Sequence, residues 1–275
     1  MNPLLTIAGK EWQDGVRNRW IVGATVLLAG LAFVLSFLGA APTGLAGVKP
    51  LAVTVVSLAS LTIFLIPLIA LLLAHDALVG EFERGTMLLL LTYPVTRMHI
   101  LFGKFLGHAA ILACATVLGY GAAGLAVGWG GGGGDVESWR AFGALVGTSI
   151  LLGMVFIAMA YLISVFSRER GMAAGMAIAV WLVFVMVYDL GLLGILVSGQ
   201  GRIGVDLFPY LLLGNPADIF RLFNLSAFEN VRMFSGLAGL SGGIPFSPVA
   251  LLGALVGWMV VPLGLAAWRF RKSEP

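Results

Sequence analysis

The 275 residues predict an all-α integral membrane protein with six transmembrane helices, and three observations carry that prediction. Hydrophobic residues make up 60% of the chain and charged residues 11%, against roughly 45–50% and about 25% in soluble domains. Mean hydropathy is +1.02. Six stretches, near residues 20–40, 51–74, 100–127, 141–166, 172–197 and 249–268, each reach the roughly 20 helical residues needed to cross about 30 Å of hydrocarbon. The net charge of +3 would point to nucleic acid in a soluble chain. Here the basic residues crowd the ends of apolar runs, which is a topology signal and excludes a nucleic-acid footprint. The single cysteine, Cys114, allows no intrachain disulfide.

Residues 2–18 predict an interfacial helix, because Leu4, Ala8, Trp12 and Val16 recur every four residues while Lys10, Asp14 and Arg17 fall elsewhere. Trp12 and Trp20 fit an interfacial anchor. The charges at Lys10, Glu11, Asp14, Arg17 and Arg19, with no small-residue cleavage site after a short apolar core, predict a retained segment and not a removable signal peptide. Pro42, Gly44, Gly47 and Pro50 stop and turn the chain, so the first two spans form a hairpin.

The next segment, 75–104, breaks the apolar pattern. Glu81, Phe82, Glu83, Arg84, Gly85 and Thr86 lead into a leucine-rich turn at 88–91, a Tyr93-Pro94 break, Arg97 and a Gly103-Lys104 pair. Charged side chains cost a few kcal/mol each in lipid, so the segment leaves the membrane and predicts a short helix protruding into water. Arg168, Glu169 and Arg170 form the whole loop between the fourth and fifth spans and offer a second charged knob on the same face. Two such knobs are what a transmembrane subunit needs if a soluble motor is to push on it.

Polar residues are sparse within the spans. Asp189 beside Tyr188 is the acidic residue well inside; a carboxylate there is either functional or satisfied by a neighbouring helix or by snorkelling. Met154, Met159, Met172, Met176 and Met186 sit in the fourth and fifth spans, where thioethers suit Cu(I) but methionine also fills apolar gaps. His75, His99 and His108 lie near one membrane face and fit ordinary hydrogen bonding as well as a metal. No metal ligand set is assigned. The pairs Gly143/Gly147, Gly171/Gly175 and Gly253/Gly257 have the four-residue spacing that permits close helix approach, read here as packing within the subunit. The five-glycine run 130–134 lacks the lysine of a phosphate-binding loop and reads as a flexible turn.

The long loop 198–247 alternates Leu207, Phe208, Ile219, Phe220 and Phe223 with Asp206, Asp218, Arg221 and Arg232. Asn215-Pro216 starts a helix well, Asn as cap and Pro in the first turn. Amphipathic helices on the outer membrane surface and a dock for a periplasmic protein, at Asn215, Pro216, Asp218, Phe220 and Arg221, are both compatible with that pattern.

Eleven of the sixteen lysines and arginines fall on the face that holds both termini and the 75–104 segment. The positive-inside rule therefore predicts cytoplasmic termini in a multi-pass bacterial inner-membrane protein.

At Glu83-Arg84-Gly85-Thr86, Leu89-Leu90, Pro94, Arg97 and Gly103-Lys104 the chain resembles the ABC-2 type permease family, whose first cytoplasmic loop carries an E-x-G-T-x-x-x-L-L-x-x-P-x-x-R pattern followed by a G-K pair. His75-Asp76, the Tyr-Pro-Val-Thr-Arg run and Asn215 to Leu222 look like the branch whose transporters mature nitrous oxide reductase. The resemblance implies one transmembrane domain over 1–275, with an interfacial helix at 1–19, a coupling-helix loop at 75–99 and an external loop at 198–247. It implies that Glu81 to Thr86 and Arg97 contact an ATPase, with Arg168 to Arg170 as a second contact. The implied partners are two copies of a cytoplasmic ABC ATPase, a second copy of this chain, a periplasmic copper-related protein and membrane lipids. ATP and Mg would reside on the partner, since no cofactor site and no catalytic constellation is legible in this chain. An exporter of a lipid, drug or ion is the competing function; a membrane-embedded enzyme is disfavoured by the isolation of its polar groups.

Overall fold

A computed structural model describes residues 2–17, 19–39, 50–130, 135–198, 208–226 and 246–272. The Pro42 to Lys49 turn, most of the glycine run and much of the long loop lie outside the described residues. The elements are α1 (Pro3–Arg17), α2 (Arg19–Gly39), α3 (Pro50–Ala74), α4 (Val79–Glu83), α5 (Thr86–Thr92), α6 (Arg97–Gly130) and α7 (Val136–Phe166). They continue with α8 (Arg170–Leu182), a π-helical turn (Val183–Val187), α9 (Tyr188–Ser198), α10 (Phe208–Leu212), α11 (Pro216–Ser226) and α12 (Pro248–Lys272). The described residues contain no strand. All six predicted spans are helical, within about five residues of the expected bounds. Five are each long and apolar enough to cross a membrane; the sixth candidate is the α1–α2 pair, bent by 70°.

Uniform hydrophobicity makes these helices stable in lipid, where every backbone polar group must bond within its own helix. It does not decide how they pack. That is decided by a few small or polar positions. α7 is the central rod, packed between α3 and α12 and touching α6 and α11. Leu145, Leu152, Val155, Phe156, Ile157, Ala158 and Ala160 of α7 are fully buried. α6 lies outside it and carries α1 and α2 on its outer side. The α8–π–α9 span is the most peripheral, with 11% of its most apolar window buried. Pro67 within α3 lacks the amide that would bond Ile63, and beside this break the Phe64 carbonyl accepts the Trp181 indole N–H of α8 at 3.0 Å.

The predicted N-terminal helix exists, but it docks on its own bundle. A Cβ at Gly103 would lie 2.9 Å from Ile7 Cβ, and one at Gly107 would lie 2.5 Å from Glu11 Cβ. Two absent side chains on α6 therefore form the notch that α1 occupies. The glycine pairs singled out from sequence do something else: a Cβ at Gly143, Gly147, Gly171, Gly175, Gly253 or Gly257 would meet nothing within 4 Å. The expectation that they pack helices inside the subunit is corrected. Spacing alone does not say which face a glycine lies on.

The contrast gives a paired expectation. Gly107→Ala forces α1 away from α6 and lowers stability by about 1–3 kcal/mol, whereas Gly143→Ala is neutral or stabilises by up to about 1 kcal/mol. Thermal unfolding of the two variants in one detergent checks this; equal behaviour would mean the α1 notch is not tight.

Candidate functional site

One end of the bundle gathers α1, α4, α5, the start of α6, the end of α7, the start of α8 and the end of α12. An ion buried among apolar helices costs several kcal/mol unless paired, so charge placed here must find partners. Lys104 of α6 is 4% exposed, and its Nζ donates to Glu11 Oε1 of α1 at 2.6 Å and to Glu81 Oε1 of α4 at 3.0 Å. Arg84 Nη2 lies 3.6 Å from the same Glu81 oxygen, and the Thr86 hydroxyl donates to the other. One turn further along α6, His108 Nδ1 meets the Tyr161 hydroxyl of α7 at 2.8 Å, with His108 Nε2 3.9 Å from Glu11.

The loop is fixed from two further sides. The Ser164 hydroxyl of α7 accepts the Leu78 and Val79 amides, both at 3.0 Å, which satisfies the bare first turn of α4. Gly85, at φ +70°, ends α4 in the left-handed conformation that glycine adopts without strain. Arg170 folds back over Gly80: its backbone amide and its guanidinium meet the Glu83 carboxylate at 2.7 and 3.1 Å, and Nη2 donates to the Gly80 carbonyl at 3.0 Å. Arg97 Nη1 donates to the Phe270 carbonyl at 3.1 Å, and Phe82 meets the Phe270 ring edge-on.

These contacts revise the picture of a knuckle projecting freely into water. Val79, Gly80 and Glu81 are buried, and the Glu81 carboxylate is consumed inside the subunit. The two charged knobs are joined by the Glu83–Arg170 pair into one surface. Glu83, Arg84, Gly85, Arg168 and Glu169 are exposed, Phe82, Thr86, Arg97 and Arg170 partly so. The leucine-rich turn and Tyr93, named in the sequence without a partner role, expose large apolar groups here: Leu88, Leu89 and Tyr93 are 58, 63 and 68% exposed. Beside them a cleft of about 460 Å³ opens between α1 and the loop, lined by Lys10, Asp14, Asp76, Arg84 and Tyr93, with Lys104 in its wall.

The opposite end is closed by α11, which enters the bundle between α3, α7 and α12. Asn215 is the reason it starts there. Its Oδ1 accepts the Ala217 amide at 3.0 Å, and its Nδ2 donates to the Phe184 carbonyl of the π-helical turn at 2.8 Å and to Asp218 at 3.0 Å. Arg221 joins Asp218 at 2.9 Å to Asp189 of α9 at 3.1 Å. Asn224 and Thr148 of α7 exchange a hydrogen bond at 2.9 Å. The predicted cap is therefore correct, but the surface location is not. Pro216, Ala217, Asp218, Ile219 and Phe220 are buried with Asn215, and of the five residues read as a dock only Arg221 reaches the surface. Asp189 is the satisfied carboxylate, paired with Arg221.

The three histidines do not converge: His75 bonds the Leu72 carbonyl, His99 bonds Thr96, and His108 bonds Tyr161. Of the five methionines, Met159 is buried while Met172 and Met186 face outward at 48 and 46% exposure. Among the described residues no three His, Cys, Asp or Glu side chains are placed to hold a metal. Sequence reasoning assigned no contact to Glu11, Lys104, Tyr161 or Ser164, although Glu11 and the Gly103-Lys104 pair were named. A lysine near the start of a span, next to a glycine, was the available signal for the first of these contacts.

The chain matches a family model described as ABC-2 family transporter protein over residues 5–274. It is 47% identical over 273 residues, 99% of both chains, to a Stutzerimonas stutzeri protein described as "Probable ABC transporter permease protein NosY". A Pseudomonas aeruginosa protein of the same description is 48% identical over 275 residues, 97% of each chain.

Burial, reinforced by the nearby Asp189 carboxylate and opposed by Arg221, pushes the Asp218 carboxyl up from 3.8 to about 6. A raised carboxyl favours the protonated folded form, so the stability it contributes is present below about pH 4 and is lost as pH rises through about 6. Asp218→Asn flattens the pH dependence of unfolding between pH 4 and 6. Denaturant titrations of both proteins across that window check the sign.

Proposed function

The chain belongs to the ABC-2 transporter family and is the permease subunit of an ABC transporter, and from that premise we propose that it transmits ATP-driven force from a cytoplasmic ATPase to a protein on the far side of the inner membrane. The end holding α1, α4 and α5 faces the cytoplasm in this reading, on the strength of the lysine and arginine distribution. Two ATPase subunits act on two copies of the chain. ATP and Mg stay on the ATPase.

The observation that carries the reading is the continuity of α7. At one end Ser164 holds the amides of the coupling loop. Sixteen residues away, about 24 Å along the helix, Thr148 holds Asn224 of the α11 wedge. A second line runs through α8, whose Arg170 grips the loop and whose π-helical turn offers the Phe184 carbonyl to Asn215. Close-packed helices of this kind move as stiff bodies, so displacement at the loop reaches the wedge. Glu83, Arg84, Leu88, Leu89, Tyr93, Arg168 and Glu169 form the ATPase contact, while Glu81, Arg97 and Arg170 hold it in shape. On the far side, Arg221 and the segment around α10 are the contact for the periplasmic partner.

The near-full-length likeness to permeases described as NosY, together with the resemblance to nitrous oxide reductase maturation permeases, supports copper-site maturation as the process served. An exporter moving a lipid, drug or ion is the second reading, and proteoliposome uptake separates the two. Force transmission predicts ATP turnover with no copper or lipid accumulation, and copper accumulation in vesicles would refute it.

Two variants test the two ends. Leu88→Glu with Leu89→Glu should cut ATPase co-purification at least about tenfold, by burying two charges at an apolar contact. Thr148→Val with Asn224→Leu should keep ATPase recovery intact while lowering the yield of copper-loaded nitrous oxide reductase severalfold. Full reductase maturation in the second variant would remove α7 from the transmission path.

A further inference from the structure

We propose that Lys104 is a positioning residue, an ionic strap that makes α1 and the 75–93 loop move as one body; this rests on the coupling reading above. α1 packs chiefly along α6 and α2, and the 460 Å³ cleft separates its outer turns from the loop. What bridges them is one nitrogen. Nζ of Lys104 holds Glu11 from α1 and Glu81 from α4, partners 93 and 23 residues away in sequence, at 2.6 and 3.0 Å. Both carboxylates are nine-tenths buried, with side chains 11 and 8% exposed.

The chemistry explains why the residue is a lysine. A compact ammonium with three donors can serve two carboxylates approaching from different helices, where a planar guanidinium would favour one in a bidentate grip. Without it, Glu11 and Glu81 would confront each other across the cleft within about 6 Å, and like charges so close in a weakly hydrated site repel strongly. Arg84, 54% exposed, offsets only the Glu81 side at 3.6 Å, and Lys10, 60% exposed, only the Glu11 side at 3.8 Å; neither reaches both carboxylates. Gly103 and Gly107 flank the lysine and admit α1 against α6, so Glu11 reaches Nζ only because the notch is there. The strap turns an otherwise separate surface helix into part of the surface the ATPase pushes on.

The test uses the permease assembled with its ATPase in nanodiscs, with spin labels at Gln13→Cys and the exposed Thr92→Cys. With Lys104 and Glu11 in place, the label distance within one subunit stays single and constant between nucleotide-free and ATP-trapped states. Lys104→Met should broaden it, make it change with nucleotide, and weaken ATPase affinity about tenfold. Glu11→Gln, which keeps Lys104 and the fold, should broaden it to a lesser degree and weaken affinity about threefold, so the inference remains testable if Lys104→Met fails to insert. A single constant distance in either variant, including one whose only change is a lower melting temperature, overturns the strap. The coupling reading fails separately, if the ATPase still co-purifies fully with the Leu88→Glu, Leu89→Glu variant.

Discussion

An ion inside an apolar bundle must be neutralised where it stands, because no water can be recruited to do so at comparable cost. That constraint organises both ends of this subunit. At the basic end Lys104 draws together Glu11 of α1 and Glu81 of α4. At the other, Arg221 draws together Asp189 and Asp218. Apolar contacts supply most of the buried area, yet they are non-directional and many packings would satisfy them. The charged clusters are directional and pick one.

Between the clusters lies a rod tied to its neighbours at several levels. α7 is largely apolar and buried, with Ser164 and Tyr161 near one terminus and Thr148 close to its midpoint. Each of these side chains bonds a different element, so the helix is attached to its surroundings at defined points. The π-helical turn at Val183–Val187 serves a comparable purpose in the neighbouring span. A π turn shifts backbone carbonyls out of their usual register, and the Phe184 carbonyl is the one Asn215 reaches. The α11 wedge is thereby keyed to two spans at once.

The spans were legible in the sequence because hydrophobicity and length are local properties, and so was the Asn215-Pro216 helix start, which depends on adjacent residues. The charged loop was legible as a departure from the pattern. Its internal pairing was not, since Glu81 meets Lys104 across 23 residues and Glu11 meets it across 93, and no period or motif encodes such distances. The burial of α11 was hidden for a related reason. Its amphipathic pattern specifies one apolar face and is silent on whether lipid or protein covers it. The same silence misdirected the glycine pairs, while Gly103 and Gly107, which share their four-residue spacing, proved to be the notch for α1.

The hydroxyls inside the bundle bear on how such a subunit could act across a membrane. Thr62 donates to the Leu58 carbonyl, Thr116 to Leu112 and Ser149 to Leu145, each one turn back on its own helix. Thr62 also meets the Tyr120 hydroxyl of α6 at 2.7 Å, so these hydroxyls are spent on helix backbones and on a neighbouring helix. The outward face of α8 and α9 presents Met172, Ile178, Val183, Met186, Val187 and Leu190, so a path built from that face between two copies would be apolar as well. A hydrated ion crossing such surfaces would forfeit its shell with nothing to replace it. Motion of whole helices carries no such cost. A subunit whose helices are also cross-tied between the two clusters, at Thr62–Tyr120 and Thr148–Asn224, is suited to carrying displacement as a unit.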